Sequence, residues 1–375
     1  MPCVSKVAII GGGIAGLSAS VGLSRLGVAC HVYENGNPKE GASIGFSGRA
    51  AEALEELGLY ELFLEAGRAF SSDTGAATMR DHAGKVLSAG PKRPSWPGMK
   101  DTVVLYRPTM IDVMTKAAKD LGVQVMNGVT FTDIQTRVDG VTIRYTDGSQ
   151  ADYDLVIGAD GIGSATRQAM FPDSPNPQYA GQWSIRWMAP GEHIDGESWY
   201  NSSAGRFGFY SLPGGHIYVA SILDIADDER MSDGEARERF TKLLDSCTAP
   251  AVVELRSRLT EDSTLIARPF RWILVDQPWY RGRVLLVGDA AHATTAHMGM
   301  GGGMAVEDAA VLAQCVGNAS TWEEVFGRFT ERRFERVKTV VEGSLALSKL
   351  TQTAAPPAER MAALSKAWEA VSDPY

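Results

Sequence analysis

Residues 6–10 form a strand-like apolar run that leads directly into Gly11-Gly12-Gly13-Ile14-Ala15-Gly16. A helical stretch from Leu17 to Leu26 comes next, then a second strand-like run from Ala29 to Tyr33 that ends at Glu34. This order is a complete βαβ unit of the dinucleotide-binding type. Gly11 permits the tight turn, Gly13 lets a pyrophosphate approach the backbone, and Gly16 lets helix and strand pack closely. The phosphates then lie against the first turn of the helix, at Ile14 and Ala15, where free N–H groups and the dipole favour an anion. Glu34 stands 21 residues after Gly13 (34 − 13), where a carboxylate accepts hydrogen bonds from ribose hydroxyls. A glycine-rich turn in some other α/β protein would leave the position of that acid unexplained. The motif alone does not separate FAD from NAD.

A chain of 375 residues is long for one compact core and suits two intertwined domains. The net charge is −9 and no block of Lys or Arg stands out, which argues against nucleic acid as a partner. Cys3, Cys30, Cys247 and Cys315 are scattered without C-x-x-C spacing and imply neither a disulfide framework nor a metal site. The apolar start lacks a basic flank and is broken by the glycines, so it reads as strand and helix rather than as a signal peptide. No run reaches the roughly 18 apolar residues that a membrane span needs. A cytoplasmic location is the expectation.

The pattern predicts a helix over residues 48–66, loops and short strands over 67–100, and a helix from Arg107 to about Leu121. Strands follow over 123–157. Residues 179–224 alternate aromatic and polar residues, with a turn at Pro213-Gly214-Gly215, and read as an antiparallel sheet with one wet face. Helices are expected at 233–247 and 250–257, then a buried strand over 283–287. A glycine-rich loop comes next, ahead of an apolar helix over 305–316, and a long amphipathic helix spans 322–350.

Two later segments bear on the cofactor. In one, a strand ends at Asp160-Gly161 and small residues lead to Arg167. In the other, residues 283–287 end at Gly288-Asp289. With the N-terminal fingerprint, Arg107 and the glycine-rich helix start, and in this order, the chain resembles the single-component flavoprotein aromatic hydroxylases, the p-hydroxybenzoate hydroxylase family. The resemblance implies an α/β fold in which a Rossmann-like FAD-binding domain (1–70, 101–178 and 271–320) interleaves with a mixed or antiparallel substrate domain (71–100 and 179–270). A helical C-terminal segment, 321–375, completes it. It implies non-covalent FAD held by Gly11, Gly13, Ile14, Ala15, Gly16, Glu34, Arg107, Asp160 and Asp289. Asp289 would accept from a ribityl hydroxyl and Arg107 would meet the phosphate or ribityl region. Asp160 and Arg167 have a structural alternative, holding their loop together. His292 reads as a packed or hydrogen-bonded histidine rather than a base. Gly301, Gly302, Gly303 and Met304 would offer N–H donors to the pyrimidine edge of the flavin.

The resemblance also implies the reaction. NAD(P)H docks transiently, since the chain offers no second nucleotide fold, and reduced flavin and O2 give a C4a-hydroperoxide that hydroxylates a small aromatic or heteroaromatic ring. Trp183, Arg186, Tyr210, Tyr218, Ala296, His297 and Met300 are expected around the substrate, and Arg186, Tyr210 and His216 are the candidates for a catalytic part. Two positions depart from the family pattern: Ala296 stands where proline is usual, and Met300 where glutamine is usual. A flavin-dependent halogenase is disfavoured, because residues 183–187 do not match W-x-W-x-I-P. A reductase or desaturase of related type, and a non-catalytic flavin- or ligand-binding protein, are the other readings.

Overall fold

The computed structural model describes residues 2–36, 41, 43–71, 78–226, 228 and 230–375. The chain runs β1 (Lys6–Ile10), α1 (Ile14–Ser24), β2 (Ala29–Glu34), β3 (Ser43–Phe46), α2 (Arg49–Glu56), α3 (Tyr60–Ala66), β4 (Arg68–Phe70), β5 (Met79–Arg80), β6 (Val86–Ser88) and β7 (Thr102–Tyr106). It continues through α4 (Arg107–Asp120), β8 (Gln124–Asn127), β9 (Phe131–Thr136), β10 (Val141–Tyr145), β11 (Gln150–Tyr153), β12 (Leu155–Gly158) and α5 (Ala165–Met170). Next come β13 (Gln178–Pro190), β14 (Ser198–Ser202), β15 (Gly205–Leu212), β16 (His216–Asp224), α6 (Asp233–Asp245), α7 (Pro250–Ser257) and β17 (Leu265–Trp272). The last elements are β18 (Tyr280–Arg281), β19 (Val284–Leu286), α8 (Asp289–His292), α9 (Gly301–Asn318), α10 (Trp322–Gln352) and α11 (Pro357–Glu369).

A six-stranded sheet, in the order β18-β19-β12-β1-β2-β8, is parallel except for the β18–β19 edge. Its register explains why three distant motifs meet. Ile10 lies beside both Tyr33 and Gly158, and Gly158 lies beside Leu286. Gly11, Ala159 and Val287, which follow their strands, and Glu34, the last residue of β2, therefore lie at one carboxyl edge, where open α/β sheets place their ligands. Strands β1, β12 and β19 are almost wholly buried, as their continuous apolar runs require in a parallel sheet covered on both faces.

A seven-stranded sheet, β17-β13-β16-β15-β14-β5-β6, is antiparallel except where β14 meets β5. Its strands fall mainly in the segments expected for the substrate domain, although β17 runs past residue 270. Ile185, Trp187, Phe207, Phe209, Ile217 and Val219 pack under α6 and α7 with Phe240, Leu243 and Leu255. The alternate residues face the opposite way, toward the nucleotide-binding half.

Some expected elements differ in detail. The single helix over 48–66 is two helices, because Gly58 adopts a φ of +72° and ends the first turn of chain there. The glycine-rich loop is the first turn of α9 rather than a separate linker. The C-terminal segment holds two helices, α10 and α11, not one.

The long helices are locked by a buried ion network. Arg333 of α10 donates from Nε to Asp308 Oδ1 at 2.8 Å and from Nη1 to Glu307 Oε2 at 2.8 Å. Arg336 donates to both oxygens of Glu307. Asp308 Oδ2 accepts from the Gly288 N–H at 2.8 Å and pairs with His292 Nε2 at 2.7 Å. Arg333, Glu307 and Asp308 are at most 1% exposed. Burial by itself would raise the Asp308 carboxyl, but His292, Arg333 and the hydrogen bonds outweigh it and bring it to about 2.

Asp308→Asn should cost about 3–5 kcal/mol of folding stability, because it strands part of a buried guanidinium. The folded carboxyl is depressed below its unfolded value of about 3.9. Its contribution is therefore fully present above roughly pH 4 and fades as the pH falls toward 2. Urea melts of wild type and variant should differ at neutral pH and converge on acidification.

Candidate functional site

Gly11 has a φ of +110°, and a Cβ there would lie 2.3 Å from the Ala159 carbonyl oxygen. At Gly16 a Cβ would lie 1.9 Å from the Gly11 carbonyl oxygen, so helix α1 packs on the turn as the fingerprint requires. Gly13 differs: a Cβ there would meet nothing within 4 Å. It faces open space at the start of α1, which has no side-chain cap. The first intrahelical bond runs from Leu17 N–H to the Gly13 carbonyl, so the N–H groups of Ile14, Ala15 and Gly16 have no helical acceptor. Glu34 closes one side. Its Oε2 accepts from the Gly12 N–H at 2.7 Å, and its other oxygen accepts from the Gly36 N–H.

The second free helix start is α9. Met304 N–H donates to the Met300 carbonyl at 2.8 Å, which leaves Gly301, Gly302 and Gly303 as the open first turn. The two starts are adjacent. A Cβ on Gly288 would sit 2.7 Å from Ala15 Cβ and 3.5 Å from Ala305 Cβ, and one on Gly302 would sit 3.5 Å from Ile14 Cδ1. Met304 does not belong with the three glycines. Its N–H is spent within the helix, its side chain is 1% exposed, and its sulfur faces Arg333 Nη2 at 3.6 Å. The expectation of a cofactor contact at Met304 is corrected accordingly.

Asp289 follows Gly288 on the same rim. Its side chain opens onto the cleft and takes no hydrogen bond among the described residues. Enough protein surrounds it for desolvation to push its carboxyl up, while His292 and Arg107 pull it back. Arg107, at the start of α4, is itself lowered by burial, with Asp289 acting against that shift and Arg186 adding to it. Asp160, by contrast, is committed to its own loop. Its oxygens accept from Ser164 Oγ, from the Thr166 N–H at 2.9 Å and from Thr166 Oγ1 at 3.0 Å. Arg167 joins that loop to the next motif by donating to the Ile162 and Ala290 carbonyls. This geometry carries the structural alternative for both residues. His292 is buried, bonded to Asp308 and packed on Trp279.

Register separates the residues expected around the substrate. Arg186 lies beside Ala220, Ala220 beside Gly208, and Gly208 beside Trp199, so these four share the cleft face of the large sheet. Tyr218 lies beside Tyr210 and Met188 on one side of that row, and Arg206 lies beside Ile222 and Asn201 on the other. The Tyr210 hydroxyl donates to Ser43 Oγ at 2.9 Å, tying this face to β3. Tyr210 and Tyr218 meet edge to face at 5.2 Å, and burial raises both hydroxyls. His216 lies at the edge, against the Tyr106 ring at 5.8 Å.

Trp183 is three residues from Arg186 and thus on the other face. Its cross-strand neighbour is Leu223, part of the core under α6 and α7. Trp183 and Arg186 cannot line one pocket, which corrects the expectation for Trp183. In the loop before α9, Ala296 is exposed and its carbonyl accepts from the Gly299 N–H at 3.0 Å. His297 is half-buried, with Nδ1 at 3.0 Å from Thr295 Oγ1 and Nε2 buried without a partner. Met300 is half-buried against the main core. Sequence reasoning passed over Arg206 and Arg333. Both looked like ordinary charges on half-wet elements, and only long-range packing sets them apart.

The glycines of α9 serve different ends. A Cβ at Gly301 would meet only Thr294 Cγ2 at 3.4 Å, an ordinary contact, whereas at Gly303 it would press on Ala50 Cβ at 2.9 Å. The φ of Gly301 is not positive, so its backbone is open to other residues. Gly301→Ala should stay within about 0.5 kcal/mol of wild type. Gly303→Ala should lose about 1–3 kcal/mol by overpacking. Thermal melts of the two variants check the ordering.

Comparison with known proteins places this geometry. Residues 4–344 match the FAD binding domain family. The chain is 28% identical over 353 residues to the aurachin C monooxygenase/isomerase of Stigmatella aurantiaca, covering 92% of this chain and 89% of that protein. It is 29% identical to the FAD-dependent urate hydroxylase of Klebsiella oxytoca, covering 90% and 88%. In fold it is similar to Klebsiella pneumoniae HpxO complexed with FAD and uric acid, with a TM-score of 0.78, 24% identity, and coverage of 97% and 93%. The match takes in the glycine turn, the Asp160 and Asp289 segments and both free helix starts, and the chain belongs to the FAD binding domain family.

Proposed function

We propose that this chain is an FAD-dependent monooxygenase that hydroxylates a small aromatic or heteroaromatic ring, with NAD(P)H as reductant and O2 as oxidant. The observation that carries the reading is the convergence, on one rim, of two uncapped helix starts and a partnerless carboxylate. That donor set fits FAD. The open N–H groups of Ile14, Ala15 and Gly16 suit a pyrophosphate, and the space before Gly13 is a cradle that a Cβ would fill. Glu34 is placed for ribose hydroxyls, and Asp289 for a ribityl hydroxyl with Arg107 nearby. The open N–H groups of Gly301, Gly302 and Gly303 would support negative charge on the ring system of a bound FAD.

Bound and reduced, FAD supplies the activation of O2 that places one oxygen atom on the ring. The chain's residues do the rest. In the row Arg186, Ala220, Gly208 and Trp199 the Trp199 indole covers Gly208, and with Ala220 it gives a flat floor on which a planar substrate can lie. Tyr210 and Tyr218 wall one side and exclude water. Related proteins bear names that fit this class, among them a 3-hydroxybenzoate 6-hydroxylase of Aquipseudomonas alcaligenes, 27% identical over 352 residues. The nucleotide-binding half is assigned to residues 1–70, 101–178 and 271–320, and the substrate half to 71–100 and 179–270, with 321–375 as the helical brace.

Purified protein should be yellow and release intact FAD on acidification. Glu34→Ala, Asp289→Ala and Gly13→Ala should each weaken FAD retention about ten- to a hundredfold, the size of a lost charge-assisted bond or a blocked phosphate approach. Flavin fluorescence on dilution reads this. Oxidation of NAD(P)H should quicken with the correct aromatic ligand, and label from 18O2 should enter the product. Label from water alone, or none at all, would overturn the monooxygenase reading.

A further inference from the structure

Arg206 sits on the cleft face of β15, half-buried, and makes no hydrogen bond or ion pair among the described residues. Arg360, in the first turn of α11, is 8% exposed. Its Nη2 reaches Asn201 Oδ1 at only 3.5 Å, and its Nε is buried with no partner. Asn201 is the cross-strand neighbour of Arg206 and is oriented by the Arg80 carbonyl, which accepts from its amide at 3.2 Å. The two guanidiniums thus converge beside the Gly208–Ala220 floor with donors unspent. Asp224 is the one carboxylate whose charge acts on both, and it is already engaged by Gln182 at 2.6 Å. Two cations against one carboxylate leave a net charge of about +1, which is costly in a half-buried site unless an anion joins it. The cost is visible in Arg206, pushed down to about 10 by burial and by repulsion from Arg360.

The reacting end of the cleft lies alongside. His297, in the loop before α9, feels the charge of Arg206 and presents an unpartnered Nε2. Burial, then Arg206, lowers it to about 3, so it stays neutral at working pH. The indole of Trp368 on α11 donates to the Met298 carbonyl at 3.1 Å, tying the helix that holds Arg360 to this same loop. Arg360 lies beyond the residues that match the FAD binding domain family, 4–344.

We propose that Arg206 and Arg360 form a two-arginine clamp for the carboxylate of an aromatic acid, whose ring lies over Ala220, beside the Trp199 indole that covers Gly208, toward His297. This rests on the monooxygenase reading for its setting and narrows the substrate to an acid. Because one arm of the clamp is on α11, the bound acid also fastens that helix over the cleft.

The test is equilibrium binding to the FAD-loaded protein without NAD(P)H. Benzoate and benzamide are titrated against the flavin absorbance, and deuterium uptake of residues 357–369 is followed in parallel. Benzoate should bind at least about tenfold tighter than benzamide and should slow exchange in α11. Arg206→Gln and Arg360→Gln should each weaken benzoate about ten- to a hundredfold while leaving benzamide and FAD retention unchanged. Arg360→Lys, which keeps the charge without the fork, should recover part of the loss. Equal binding of acid and amide, or no loss in either glutamine variant, overturns the clamp. Competition by inorganic phosphate at the concentration of benzoate overturns its aromatic assignment. Benzoate binding as stated, with no 18O product from any aromatic acid, leaves the clamp and removes the monooxygenase reading. Hydroxylation of neutral phenols with no preference for acids does the reverse.

Discussion

The Asp308 carboxylate is the point on which the geometry of the cleft rim depends. One oxygen holds the Arg333 guanidinium of α10, and the other holds the Gly288 N–H and His292. Gly288 precedes Asp289, and Asp308 lies on the helix whose first turn is the glycine series. A single buried charge therefore fixes the distance between a partnerless carboxylate and a set of free N–H groups. Buried ion pairs seldom add much stability compared with apolar packing, but removing one partner is expensive. Here the network sets position: α9, α10 and the end of β19 cannot slide relative to one another without stranding a charge.

The nucleotide-binding half was legible because its signals are local. The fingerprint, the acid at Glu34 and the strand ends at Asp160 and Asp289 each occupy a short stretch. Parallel register then brings strand ends together without further instruction. What escaped the sequence is what depends on distant partners. Arg333 sits among other basic residues on a helix that reads simply as amphipathic, and its acids lie on another helix. Met304 follows three glycines and looked like part of their turn, yet a helix frees only its first N–H groups. Trp183 shares an aromatic-rich strand with Arg186, but alternation sends the two to opposite faces, and no composition argument reveals which face is wet. The break at Gly58 fell inside a convincing helical period.

The large sheet divides its work by face. Residues under α6 and α7 form a conventional apolar core. The cleft face mixes tyrosines, small residues and arginines, of which Arg206 makes no hydrogen bond or ion pair among the described residues. Such a face is unfavourable for an isolated fold. A guanidinium half-buried with its donors unspent gives up hydration without gaining an ion pair. In the proposed clamp, a ligand of opposite charge recovers that loss on arrival.

The departure at Ala296 looks different in this light. A proline at this position would stiffen the turn before α9 by fixing φ. The turn here is held otherwise: the Ala296 carbonyl accepts from the Gly299 N–H, Thr295 is buried and meets His297, and Phe270 packs edge to face against the His297 ring. These contacts also hold the His297 ring, and Trp368 of α11 pins the next residue through the Met298 carbonyl. Losing the proline therefore leaves the turn shaped, but shaped by side chains that other parts of the cleft can influence. Through Trp368 the C-terminal helix is thereby coupled to a turn that a proline would have stiffened on its own.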